Sequence, residues 1–106
     1  MVIEWLKFRV DPKSREKFIQ KDDAIWTASL ATYPGFLGKE VWIEPDRPDE
    51  VVFTIHWQTR EQWKSISVRD LTQIEQQFST AMKKMNINYK MTESKEYQIR
   101  KFSSTR

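Results

Sequence analysis

The stretch Val51-Val52-Phe53-Thr54-Ile55-His56-Trp57-Gln58-Thr59-Arg60-Glu61-Gln62 sets a β-strand directly before a helix. Residues 51–58 are rich in β-branched and aromatic side chains, which is typical of a strand. Thr59 and Gln62 are spaced as a capping box, in which each residue satisfies a backbone donor of the other. The sequence therefore predicts a strand over 51–58 and a short helix that ends near Ile66.

Downstream of this stretch the sequence predicts a longer helix and a last strand. Ser67-Val68-Arg69-Asp70 is a second helix start signal, and the helix that follows should end near Met85. Its apolar residues recur at helical spacing and form one stripe: Leu71, Ile74, Phe78, Ala81, Met82 and Met85. A polar turn over 86–92 and a strand over 94–102 complete this half.

Upstream, the same reading gives a strand, a helix and a second strand. Residues 2–10 alternate as a strand, and Asp11-Pro12 caps a helix because aspartate accepts free backbone N–H groups and proline has none. Pro34-Gly35 ends that helix after Tyr33. A strand over 36–44 then leads into an acidic, proline-containing hairpin loop over 44–50.

The predicted order is therefore β-α-β-β-α-β, the α+β ferredoxin-like pattern with a four-stranded antiparallel sheet. Two helices can cover only one face of such a sheet. By strand parity the other face carries apolar and aromatic side chains that need a partner: Trp5, Phe36, Trp42 and, beside them, His56. A second copy is the simplest partner, so we expect a homodimer in the form of a dimeric α/β barrel.

Composition limits the functional classes. The 106 residues fit one domain over 1–106, with 102–106 as a tail that is flexible or contacts the dimer partner. No cysteine is present, and neither a signal peptide nor a membrane span is recognisable, so we expect a cytoplasmic protein without membrane contact. The net charge of +3 is scattered, and strand 51–58 lacks the glycine of an RNA-recognition motif, so no nucleic-acid partner is expected.

A family resemblance accompanies this pattern. The helix-to-strand passage Tyr33-Pro34-Gly35-Phe36-Leu37-Gly38-Lys39-Glu40-Val41-Trp42 resembles that of the antibiotic-biosynthesis-monooxygenase-like superfamily, and so does Trp57-Gln58-Thr59-Arg60-Glu61-Gln62-Trp63. The stretch from Asp22-Asp23-Ala24-Ile25-Trp26-Thr27 to Trp42 is most similar to a subset known mainly from cyanobacteria. The resemblance implies a dimeric α/β barrel.

The resemblance leaves the activity open. Some members of that superfamily are cofactor-free monooxygenases of phenolic or quinone-like polyketides, some degrade haem, and others have no assigned activity. The haem-degrading members use an asparagine on the first strand and a histidine on the helices after the third strand. In this sequence residues 2–10 contain no asparagine, and residues 60–85 contain no histidine. We therefore expect neither haem degradation nor a bound cofactor.

Two residues are candidate proton acceptors. His56 is the only histidine, and an imidazole can serve as a general base, but its parity directs it toward the dimer barrel, where a purely structural histidine is the alternative. Asp22 lies in the apolar stripe of the first helix, facing the family's pocket between helices and sheet. Burial there would raise its pKa and suit it as a general base. The alternative for Asp22 is an acid at the edge of the stripe that reaches solvent or pairs with a lysine or arginine.

Aromatic residues are the candidate walls of a substrate pocket. Trp26 and Trp57 should face the cleft between helices and sheet, with Phe18 and Phe78 beside them, although the same side chains are equally suited to a core. One histidine and no cysteine give no metal site. The sequence thus leaves two functions open: a cofactor-independent monooxygenase of an aromatic metabolite, and a non-enzymatic dimeric module that binds a small molecule or regulates.

Overall fold

The computed structural model describes residues 1–104, so residues 105 and 106 of the predicted tail lie outside the described residues. The strands are β1 (Val2–Val10), β2 (Phe36–Trp42), β3 (Glu50–Trp57) and β4 (Tyr89–Gln98). The first helical region joins a 3-10 turn (Pro12–Ser14), α1 (Arg15–Asp22), a π turn (Asp23–Thr27) and α2 (Ala28–Leu30). The second comprises α3 (Arg60–Lys64) and α4 (Val68–Lys84). No helix within residues 1–104 is long and apolar enough to cross a membrane.

The four strands form one antiparallel sheet in the order β2-β3-β1-β4. This arrangement confirms the predicted α+β ferredoxin-like fold. The two central strands, β3 and β1, pair along almost their whole length, and β2 and β4 are the edges. Most residues of the central strands are therefore flanked by a strand on both sides, which fixes each side chain on one face or the other.

The core lies between the helices and one face of the sheet. Alternate residues of β3 supply its floor with side chains at most 2% exposed: Val51, Phe53, Ile55 and Trp57. The apolar stripe of α4 supplies its roof through Ile74, Phe78 and Met82. Strand parity and helix periodicity each predicted this face correctly, because both patterns arise from burial of one side.

The first helix is not a regular α-helix throughout, and it ends at Leu30, before the predicted Tyr33. Residues Asp23–Thr27 form a π turn, in which the Ala28 N–H donates to the Asp23 carbonyl five residues earlier. A π turn accommodates one extra residue and rotates the side chains that follow it. Asp22, the last residue of α1, and Trp26, inside the π turn, therefore do not keep the relative directions of a regular helix.

The structure corrects two predictions. Phe36 lies on the helix-facing side, opposite Trp57 and edge-on to its ring, because the register shifts between Phe36 and Gly38. A one-residue irregularity in a strand exchanges the faces on which the side chains before it and after it lie. The last strand begins at Tyr89 and not at 94, because Asn86 adopts a left-handed conformation (φ 56°) and turns the chain early.

The chain passes from the first helical region into β2 through a glycine that the geometry requires. Gly35 has φ +91°, a backbone conformation that residues other than glycine rarely adopt. A Cβ at this position would also overlap the side chain of Gln62 in α3. Gly35 therefore allows the chain to turn into β2 in close contact with Gln62, at the start of α3.

Candidate functional site

A buried ion pair lies between the first helix and the sheet. Asp22 is 5% exposed, and its Oδ2 accepts a hydrogen bond from the Nζ of Lys39 on the edge strand β2. Lys39 faces the helices because it lies opposite Ile55 of β3, and its Nζ is 4.3 Å from the ring centroid of Phe53. The pair therefore joins the end of α1 to the floor of the core.

The environment of Asp22 makes its carboxylate more basic than usual. Burial raises its pKa because removal from water disfavours the charged form, and this effect is larger than the opposing attraction of Lys39. The negative charges of Asp23 and Glu75 add to the increase. Asp22 is thus buried, as expected for a general base, and paired with a lysine, as the alternative predicted. Its role as a general base stays a prediction.

A second carboxylate, which the sequence analysis missed, lies on the same face. The Oε1 of Glu4 accepts a hydrogen bond of 3.2 Å from the indole Nε1 of Trp57. Burial raises the pKa of Glu4, while the Trp57 hydrogen bond and the charges of Lys39 and Lys64 oppose the increase. Its signal in the sequence was parity, because Glu4 shares the helix-facing positions of β1 with Val2 and Leu6.

Glu4 and Asp22 both lie in the space between the helices and the sheet, which is called the compartment below. Glu4 and Lys39 lie on either side of Ile55, in one row across β1, β3 and β2. Since neighbouring strands are about 4.8 Å apart, their Cα atoms are roughly 10 Å apart. The compartment thus contains two carboxylates and one ammonium group above the sheet. Lys39 could have been found from the odd parity that it shares with Val41 on β2.

His56 lies on the opposite face of the sheet. It pairs with Ile3 and Gly38, and its Nε2 is 3.1 Å from the Oε1 of Glu40. The same Glu40 oxygen accepts a hydrogen bond from Thr54, and these contacts lower the pKa of Glu40. The sheet therefore separates His56 from Asp22, and the structure does not bring the two predicted proton acceptors together.

The predicted pocket residues divide between core and surface. Trp57, Phe18 and Phe78 are all at most 2% exposed and belong to the packed core. Trp26 is partly buried in the π turn, and its indole Nε1 donates to Glu75 of α4 at 3.2 Å. The cleft between helices and sheet is thus filled by side chains at these positions.

Open grooves occur elsewhere on the described part of the chain. A groove of about 590 Å³ runs between the first helix and α4, and two others lie beside Tyr33 and Arg9. None of the three is lined by the six predicted site residues. Within residues 1–104, no three histidine or acidic side chains are grouped in a way that could hold a metal ion.

Comparison with known families decides the affiliation of the chain. The family model described as antibiotic biosynthesis monooxygenase matches residues 1–67, which is more than half of the chain. The protein belongs to this family. Glu4, Asp22, Lys39 and Trp57 form the polar cluster between the helices and the sheet. All four lie within the residues that the family model matches. The closeness to a cyanobacterial subset stays a prediction.

Solved structures of low sequence identity share the fold of this family member. The cofactor-independent oxygenase SnoaB from Streptomyces nogalater aligns with TM-score 0.64 and 20% identity, over 95% of this chain and 94% of that chain. The monooxygenase ActVA-Orf6 from Streptomyces coelicolor, solved in complex with the ligand Nanaomycin D, gives 0.68 and 14% over 99% and 92%. A dimeric ferredoxin-like protein from an uncultured marine organism gives 0.65 and 11% over 99% and 100%.

A comparison with curated protein sequences gives no match. These three solved structures are 11–20% identical to this chain, and such likenesses show the fold alone. The activity of this family member must therefore be argued from its own buried polar cluster.

Proposed function

We propose that the protein is a dimeric, cofactor-independent monooxygenase that oxidises a phenolic aromatic compound between the helices and the sheet. The observation that supports this proposal is the buried Asp22–Lys39 pair. When Asp22 takes the phenol proton, the carboxylate becomes neutral and Lys39 is left to pair with the phenolate. The total charge in the compartment does not change, so the buried cation stabilises the reactive anion without a new desolvation cost.

The chemistry needs no reductant from the protein. A phenolate is electron-rich, and its para carbon can transfer electrons to molecular oxygen and form a C–O bond to it. Loss of the para hydrogen and cleavage of the O–O bond then give a quinone and water. The sum is a phenol plus O2 giving a quinone plus H2O, in which the substrate supplies all four electrons that O2 receives.

Access to the pair requires the first helix to move away from the sheet. Trp26 holds the π turn against α4 through Glu75, and the same Glu75 accepts a hydrogen bond of 2.8 Å from Tyr89. Single π turns inside α-helices occur frequently at functional sites. In this proposal the helix bends at Asp23–Thr27, and this movement opens a path for the ligand to the Asp22–Lys39 pair.

The test measures oxygen consumption with 1,8-dihydroxy-9-anthrone, whose phenolic tautomer has a free para carbon. We expect uptake well above the uncatalysed rate, and a loss of about 10²- to 10⁴-fold in kcat for Asp22→Asn, because the amide cannot accept the proton. Glu16→Gln is the matched control, since Glu16 is exposed on α1 and this variant should retain activity. Wild-type protein that consumes no oxygen above the uncatalysed rate would exclude the proposal for this class of phenol.

The homodimer is supported by the outer face of the sheet. Trp42 and Tyr97 lie on it and are 50% and 48% exposed, and Trp5 lies on it beneath the ammonium groups of Lys7 and Lys95. We expect sedimentation to give twice the chain mass of 12.8 kDa for the wild type and a shift toward monomer for Trp42→Glu. Val68→Glu, at an exposed position on α4, should leave the dimer intact. A monomeric wild type at micromolar concentration would refute the dimer.

The filled cleft favours a second candidate function, a non-enzymatic dimeric module of the same family. The side chains of Phe18, Phe78 and Trp57 are packed in the core and leave little space beside them for the ring of a ligand. A dimer without oxygen uptake would support this candidate over the monooxygenase.

A further inference from the structure

Glu4 is a partly buried acid that the proposed proton transfer does not use. Its Oε1 accepts the Trp57 hydrogen bond, whereas within residues 1–104 its Oε2 has no hydrogen bond or ion pair. Asp22, in contrast, forms an ion pair with Lys39 through its Oδ2. Glu4 is also less completely covered than Asp22, so a ligand can reach it with less rearrangement.

The fold does not need a carboxylate at this position. Trp57 requires only one acceptor for its N–H, and the amide of a glutamine would provide it without the cost of burying a charge. The nearest cations are committed elsewhere, because Lys39 pairs with Asp22 and Lys64 lies 3.9 Å from the ring centroid of Trp63. An acid without a counter-ion in a partly desolvated position therefore points to a role in binding.

We propose that Glu4 is a specificity-determining residue whose free Oε2 accepts a hydrogen bond from a second hydroxyl group of the aromatic ligand. Trp57 is its positioning residue, because its indole N–H fixes the carboxylate in place. The inference rests on the proposed function for the location of the ligand. Lys39 and Glu4 lie on opposite sides of Ile55, roughly 10 Å apart at Cα, so the ligand is one whose two hydroxyl groups lie at opposite ends of fused rings.

The test separates binding from oxidation by working without oxygen. Anaerobic calorimetry compares 2,6-dihydroxynaphthalene with 6-methoxy-2-naphthol, which has the same rings but one hydroxyl fewer. A hydrogen bond to a charged acceptor is lost in the methoxy compound, so we expect the wild type to bind the diol about 10- to 100-fold more tightly.

The diagnostic variant is Glu4→Gln. Its amide oxygen will be held by Trp57, so its NH₂ group will face the ligand and donate where the carboxylate accepted. We expect the preference for the diol to disappear or reverse, with folding checked by thermal unfolding. Trp57→Phe should weaken the preference without reversing it, because the carboxylate remains but is no longer fixed. Glu96→Gln is the control, since Glu96 is paired with Arg60 and should leave the preference unchanged.

The outcomes are distinct. An unchanged preference in Glu4→Gln overturns the role of Glu4 and leaves the monooxygenase proposal standing. A wild type that binds the diol selectively but consumes no oxygen with the anthrone supports Glu4 and removes the monooxygenase. A wild type that binds both compounds equally, or neither of them, overturns the inference.

Discussion

Replacing Lys39 by methionine is expected to lower the free energy of unfolding by about 3–5 kcal/mol at pH 7. The substitution keeps the length of the side chain but leaves Asp22 buried, with only 5% of its surface exposed, and without a counter-ion. The loss comes from that uncompensated charge and not from the absence of an attractive contact. Urea unfolding followed by circular dichroism measures it.

The pH dependence of this loss has a defined sign. Burial already holds the pKa of Asp22 above its usual value, and removing Lys39 removes the largest opposing effect. The folded variant then binds a proton more tightly than the unfolded chain does, so its stability rises as the pH falls from 7 toward 5. The deficit relative to wild type should therefore shrink over that range and grow above it.

The double variant Asp22→Asn/Lys39→Met provides the control. With both charges removed, most of the lost stability should return, and the difference from wild type should vary little with pH. A Lys39→Met variant that loses less than about 1 kcal/mol would show that Asp22 reaches water in solution, in contradiction to the buried pair.

Replacing Phe18 by alanine is expected to cost about 3–5 kcal/mol in unfolding free energy. The Phe18 ring lies at the centre of an aromatic cluster, with centroid distances of 5.5–5.9 Å to four other rings, those of Phe8, Phe53, Phe78 and Tyr89. Its removal leaves a cavity that these rings cannot all fill. Thermal or urea unfolding gives the value, and Phe102→Ala, at a residue 81% exposed, is the control that should change stability by less than about 0.5 kcal/mol.

This prediction also tests what Phe18 does. A side chain that lines an open pocket has fewer neighbours to lose, and pocket residues are commonly replaced at small cost in stability. A loss below about 1.5 kcal/mol for Phe18→Ala would therefore favour the pocket predicted from the sequence over the packed core that the structure shows.

The elements predicted correctly were those with local signals. The N-cap at Thr59, the Pro34-Gly35 stop and the alternation along 51–58 each act within a few residues, so one sequence sufficed to give their order. Only half of the predicted capping box forms, because the Gln62 Oε1 accepts from the Thr59 hydroxyl and not from its backbone N–H. The buried stripe that contained Asp22 was also local, because helical periodicity alone placed it. Its contact with Lys39 was not, since it required the register of β2 against β3.

Parity failed where the backbone departs from regular geometry. Phe36 was assigned to the wrong face because a register shift of one residue cannot be read from alternation. The π turn likewise redirected Trp26 to Glu75. Glu4 was missed for another reason: an acid within an apolar face reads as a break in the pattern, although such a break is where a buried site shows itself.

The position of β4 at the edge of the sheet bears on how the protein behaves when it is crowded or newly made. An edge strand offers free backbone groups to strands of other molecules, which is the first step of fibril growth. β4 carries charges along most of its length, at Lys90, Glu93, Lys95 and Glu96. An added strand would have to align with this row and desolvate it, so strand addition at this edge is disfavoured and the chain is protected from aggregation there.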